Sequence, residues 1–103
     1  MKHNQILCND IRNSLQAQRH KTKWERFRTM NFYIGEPREV YIGNDLFIVK
    51  PLLSYETIVG YIDIQERTMY EIGNYSITTS KQLTMFYNIS ECLTRVYVDR
   101  IYC

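Results

Sequence analysis

The sequence predicts an α+β domain: an N-terminal amphipathic helix, an antiparallel sheet built from successive hairpins, and a helix after Ser80. Three observations predict it. Apolar residues recur at helical spacing near the start of the chain. After Thr29 the texture changes to short β-branched and aromatic runs punctuated by Gly, Pro, Asn and Asp. A Ser/Thr-rich stretch at 78–80 then opens a second helical pattern. No segment repeats and no low-complexity linker divides the chain, so the 103 residues are expected to form one domain, a basic helical arm (1–28) joined to an α+β body (29–103).

Taking the elements in order, Leu7, Ile11 and Leu15 recur at spacing four with Ile6 and Ala17 beside them, a narrow apolar stripe on a helix from His3 to about Gln18. The basic run 19–28, with Trp24 and Phe27 inside it, either extends that helix or breaks it near Thr22. Residues 30–34 form a short strand ended by Gly35-Glu36-Pro37. Glu39–Ile42 and Leu46–Val49 then pair as a hairpin across Gly43-Asn44-Asp45. Pro51 lacks a backbone donor and is expected to close that strand or hold it at an edge. Residues 55–63 read as a strand in which Gly60 marks a bulge or a close backbone approach. Thr68–Ile72 returns as the other arm of that hairpin, Gly73-Asn74 closes it, and Tyr75-Ser76-Ile77 reads as a further short strand. A Thr or Ser hydroxyl in 78–80 is expected to cap the second helix, with Gln82 three residues after Thr79 as in a capping box. The β-branched and aromatic tail from Thr94 onward reads as a strand, although its spacing also fits a continued helix.

Composition narrows the function classes. Hydrophobic content of 45% with 23% charged residues is that of an ordinary globular chain. No window is apolar enough for a membrane span, and the polar start predicts no secretory leader, so a cytoplasmic location and no membrane partner are expected. Cys8, Cys92 and Cys103 form no CxxC and read as reduced thiols. Zinc would need about four close ligands, with only His3 and His20 to supplement the thiols, so neither a metal nor another cofactor is expected. Asn74-Tyr75-Ser76 and Asn88-Ile89-Ser90 match the glycosylation acceptor, which carries no meaning without secretion.

No phosphate loop, dinucleotide fingerprint, zinc-protease or serine-hydrolase motif is present, and both histidines lie in the first 20 residues, so no enzyme is expected. Binding signals are stronger. The net charge of +2 divides into +5 over residues 1–28 and −3 over the remainder. Arg19, Lys21, Lys23, Arg26 and Arg28 could neutralise phosphates while Trp24 stacks on a base; the plainer reading is a solvated segment whose Trp24 packs back on the sheet. Ser76, Thr78, Thr79, Ser80 and Lys81 stand where a helix N-terminus can hold an anion, against the plainer reading that the hydroxyls only cap the helix. Nine tyrosines, far more than the one Trp and four Phe, suit interfaces as well as strands.

The stretch Ser54-Tyr55-Glu56-Thr57 to Asp63, followed by Tyr75-Ser76-Ile77-Thr78-Thr79-Ser80-Lys81-Gln82, resembles a small domain of phages, plasmids and integrated elements of Gram-positive bacteria. Its pattern reads Ser-Tyr-x-Thr, a hydrophobic strand ending near Asp, then Tyr-Ser-x-Thr-Thr-Ser-Lys-His. Gln82 stands here where His is usual, and the resemblance covers about residues 54–88. It implies an origin rather than a chemistry. With the small size and absent catalytic motifs, it leads to the expectation of a non-enzymatic phage or mobile-element protein that binds and inhibits a host defence protein. In its most concrete, anti-CRISPR-like version the partner is a CRISPR effector or its guide complex. The alternative is an accessory nucleic-acid binder working through the basic arm.

Overall fold

In the computed structural model, residues 3–28, 31–73 and 76–101 are described. They form an α+β fold in which one seven-stranded, mostly antiparallel sheet carries a helix on each face. The elements are α1 (Gln5–Ala17), a 3-10 turn (Arg19–Lys21), β1 (Trp24–Arg26), β2 (Phe32–Gly35), β3 (Arg38–Ile42), β4 (Asp45–Ser54), β5 (Thr57–Asp63), β6 (Thr68–Ile72), α2 (Ile77–Ile89) and β7 (Thr94–Val98). The strands run in the order β1-β2-β4-β5-β6-β7, and β3 lies beside the first half of β4. The chain crosses through α2 between β6 and β7, so these two strands pair in parallel.

Asn4 caps α1 by accepting the Leu7 N–H at 2.8 Å. Helix α1 buries Cys8, Asn9, Ile11, Arg12 and Leu15; Ile11 and Leu15 of the expected stripe face the core, Leu7 packs partly against it, and Ile6 and Ala17 face outward. Beneath it lie Val40, Val49, Leu53, Ile58, Tyr61, Tyr70 and Ile72. The opposite face of the sheet gives Phe32, Leu52, Val59, Ile62 and Met69 to Leu83 and Phe86 of α2. The basic segment is therefore part of the sheet's architecture. Its helix ends at Ala17, and Trp24–Arg26 form a strand paired with β2.

Three sequence expectations resolve differently. Pro51 does not end its strand, because β4 runs through it for ten residues. The proline sits where the neighbour of β4 changes from β3, last paired at Val49, to β2, first paired at Leu52, a joint at which a missing donor costs the sheet little. Its ring fills the space beside Gly35, where an added Cβ would lie 2.5 Å from the proline ring. The β3–β4 connection is a two-residue turn, Gly43-Asn44, with Gly43 at φ +61° as such hairpins demand. The short strand expected at 75–77 is absent from residues 76 and 77: Ser76 is the N-cap of α2 and Ile77 its first residue, while Tyr75 lies outside the described residues.

Gly60 meets both expectations attached to it. Leu52 faces Gly60 and Leu53 faces Ile58, so Val59 is the extra residue of a bulge. As a result Ile58 and Tyr61, three residues apart, reach the same α1-facing core. The Ile58 N–H that the bulge displaces donates to Gln16 Oε1 at 2.8 Å, and its carbonyl accepts from Arg12 Nε at 3.0 Å. Gln16 also bonds Arg12 Nη2 and the Glu56 carbonyl, so two polar residues of α1 complete the ladder where β5 breaks it.

Candidate functional site

His3, the residue before the α1 cap, is buried on the sheet between β5 and β6. Its ring stacks on Tyr70 with centroids 4.6 Å apart and meets the edge of Phe47. Its Nε2 lies 2.9 Å from Asp63 Oδ2, and its Nδ1 lies 2.6 Å from the Tyr61 hydroxyl. The other oxygen of Asp63 accepts the Glu66 N–H and holds the four-residue β5–β6 turn, which Arg67 completes at φ 55°. Tyr70 accepts the His3 N–H and donates to Glu66 Oε1 at 2.7 Å. Cys8 sits below, accepting from the Tyr61 hydroxyl at 3.4 Å and directing its thiol toward the His3 carbonyl. A cleft of about 430 Å³ opens over the group, lined also by Asp45 and Gln65.

The electrostatics follow from burial. Loss of water is the largest influence on Tyr61, with the Cys8 hydrogen bond next, and both push its hydroxyl well above the ordinary tyrosine value. Burial likewise raises Tyr70, and the Glu66 carboxylate that accepts its proton reinforces the shift. Burial raises the Cys8 thiol, with the Tyr61 hydrogen bond acting the other way. For Glu66 burial acts upward, but the hydrogen bond from Tyr70 and the electrostatic influence of His3 are among the causes that bring its carboxyl below the usual range.

The basic residues singled out in the sequence do not converge on one cradle. Arg19 in the 3-10 turn bonds the Gln16 carbonyl, and its Nε lies 3.9 Å from Glu56. Trp24 is half-buried against the α1-side core, its indole N–H donating to the Arg19 carbonyl at 2.9 Å, which is the packed arrangement rather than an open stacking platform. Lys21, Lys23 and Arg26 are exposed. Arg28, at φ 58°, lies over the Phe27 ring.

The α2 start is occupied internally. Ser76 Oγ accepts the Thr79 N–H, and a hydroxyl chain runs from Ser76 to Thr79, on to Ser54, and from Ser54 to Gln82 Oε1. Thr78, Ser80 and Lys81 point outward. The hydroxyls cap the helix and fasten it to β4, and Gln82 is buried as the acceptor at the end of the chain.

Two features escaped the sequence reading. The His3 cluster joins residues about 60 positions apart in sequence, and its partners are carboxylates and phenols rather than thiols. The second is the outer face of the β3–β4 hairpin. Tyr41 stands opposite Leu46 and Glu39 opposite Ile48, and α2 does not reach them, so Tyr41 is 66% and Ile48 50% exposed. Leu46 and Ile48 share a depression with Ile64, which in turn lines a groove of about 400 Å³ running to Phe86 and Ile89 at the end of α2. The alternation of Tyr41 with Val40 and Ile42, and of Ile48 with Phe47 and Val49, shows apolar residues on both faces of these strands. Such a run reads as a strand buried on both faces, and the structure covers only one of them, leaving Leu46 and Ile48 exposed.

Compared with protein-family models, curated proteins and solved structures, the chain matches none of them. Among the described residues no helix is long and apolar enough to cross a membrane.

Proposed function

We propose that this is a non-enzymatic, stoichiometric protein binder. In its most specific form it is a phage or mobile-element protein that occupies and inhibits a host defence protein in an anti-CRISPR-like manner. The observation that carries the binding reading is the uncovered apolar surface formed by Tyr41, Leu46, Ile48 and Ile64 and continued to Ile89. Contiguous exposed apolar area beside a groove is the usual mark of a partner site, and Tyr among such residues is a frequent anchor. Lys50 and Arg67 stand at the groove's rim with Glu91, giving the polar border expected of such a surface. The resemblance of residues 54–88 to a mobile-element domain supports the choice of a host protein as partner.

The test is affinity capture from nuclease-treated lysate of a Gram-positive host, comparing the native chain with Ile48→Glu at matched folded concentration. A protein retained by the first and lost by the second supports the reading. Recovery of none, or equal recovery by both, overturns it. The exposed Lys21, Lys23 and Arg26 keep the alternative of a nucleic-acid accessory protein in view. A mobility shift that weakens steeply with salt and disappears on charge reversal of those three residues would assign the chain to that class instead.

A further inference from the structure

The His3 cluster has the donor set and the outer shell of a metal centre. His3 offers an imidazole nitrogen and Asp63 and Glu66 one carboxylate oxygen each, all within 4.8 Å of one another, at the edge of a cleft also lined by Asp45, Phe47 and Gln65. Two ligand atoms at about 2.0–2.2 Å from one ion and held at right to tetrahedral angles stand roughly 2.8–3.6 Å apart. The 2.9 Å between His3 Nε2 and Asp63 Oδ2 falls within that spacing.

The hydrogen bonds around the ring suit such a role. The Cys8 thiol is directed at the His3 carbonyl, and its sulfur lies 3.4 Å from the Tyr61 hydroxyl. The same hydroxyl lies 2.6 Å from His3 Nδ1, so the far ring nitrogen is held whichever of the two carries the proton. With that proton on Nδ1, Nε2 presents its lone pair toward the Asp63 carboxylate, the arrangement in which a cation between them is favourable. An imidazole whose far nitrogen is fixed by a hydrogen bond, and a carboxylate held by a tyrosine hydroxyl as Glu66 is by Tyr70, are the outer-shell supports that metal ligands commonly have.

We propose that this cleft binds a divalent first-row transition ion of the zinc or manganese class, with His3 Nε2, Asp63 and Glu66 as ligands and water at the cleft side. One imidazole and two carboxylates form a mixed nitrogen–oxygen set, which suits such ions better than magnesium or calcium with their preference for all-oxygen shells. The ion would fasten His3, the residue before the α1 cap, to the β5–β6 turn. Binding to the folded chain alone would therefore raise its melting temperature.

The experiment is calorimetric titration of chelator-treated full chain with manganese chloride and zinc chloride, together with thermal unfolding. One ion per chain is expected to bind, with a rise in Tm of at least about 5 °C at a hundredfold excess over Kd. Glu66→Gln, which keeps an acceptor for Tyr70, should weaken binding tenfold or more, as should His3→Gln. Should His3→Gln fail to fold, Glu66→Gln decides. Cobalt(II) absorption separates the sources: weak d–d bands alone fit the nitrogen–oxygen site, whereas a thiolate charge-transfer band would place the ion on a cysteine. That band, the absence of binding, binding unchanged in Glu66→Gln, or magnesium binding as tightly as manganese overturns the assignment. In the absence of binding the cluster is a histidine–carboxylate pair that closes the core.

Discussion

The two faces of the sheet are finished in different ways. Beneath α1 the polar residues are buried and tied down. Arg12 and Gln16 take up the displaced Ile58 backbone, Asn9 accepts from the Ile101 N–H and donates to the Asp99 carbonyl, and His3 is locked among Tyr61, Tyr70 and Asp63. On the α2 side the helix covers only β2, β6 and the later half of β4 with its neighbour β5, and the distal hairpin shows Tyr41, Leu46 and Ile48 to solvent. Both faces tie down buried polar groups, the α2 side through Ser54, Thr79 and Gln82, but the α2 side also leaves the apolar groups of the hairpin open. Buried polar groups are costly unless fully partnered, which makes the α1 face intolerant of change. Exposed apolar groups contribute little to folding, which leaves the α2 face free to serve a partner.

The largest effect should come from the bulge that lets α1 close its face. A Cβ on Gly60 would sit 2.3 Å from the Tyr70 carbonyl oxygen, and a β5–β6 backbone cannot yield as a flexible side chain would. Gly60→Ala is expected to cost about 3 kcal/mol, seen as a fall in Tm of more than about 10 °C. A normal melting curve would mean that the strands are less tightly paired at that position. The next effect is at Arg12. Arg12→Ala strands the Ile58 carbonyl in the core and should cost about 2–3 kcal/mol in urea denaturation. Because Gln16 bonds both Arg12 and the Ile58 N–H, the double substitution with Gln16→Ala should cost less than the two single costs together.

Trp24 discriminates between the two faces as sites of binding. Its ring packs against the α1-side core and its N–H reaches the Arg19 carbonyl, so Trp24→Ala should lower stability by roughly 1–2 kcal/mol. The affinity of the folded fraction for a captured partner should not change. Measuring melting and binding on the same variant checks both. Unchanged stability with lost binding would transfer the contact surface to the basic segment.

Local signals carried most of the fold. Helical spacing located α1, turn residues located the hairpins, and Ser-Thr chemistry announced α2, although its cap is Ser76, three residues before Thr79, and the helix begins at Ile77 rather than after Ser80. Pro51 misled because its cost depends on which strand lies beside it, a property of topology that no local window holds. The His3 cluster was illegible for the same reason. A histidine three residues into the chain acquires meaning only when β5 and β6 bring Tyr61, Asp63, Glu66 and Tyr70 around it. Basic residues, by contrast, stood out in the sequence because charge is visible locally, yet the fold spreads them over a turn, a strand and a loop.

The smallest effect on folding should accompany the largest effect on binding, at the open hairpin. Tyr41 and Ile48 are more than half and half exposed, so their removal uncovers little that folding had buried. Tyr41→Ser and Ile48→Ser should each leave stability within about 0.5 kcal/mol of the native chain. In a bound complex the same side chains would leave water against the partner, and truncation of a tyrosine anchor at an interface centre costs roughly 2 kcal/mol or more. The expected signature is therefore superimposable unfolding curves with affinity reduced more than tenfold, mostly through faster dissociation. Lys21→Ala, a solvated charge outside the hairpin, should change neither quantity appreciably at moderate salt. If Lys21→Ala weakens binding while Tyr41→Ser does not, the open face is only an incomplete covering of the sheet, and the partner is held by charge.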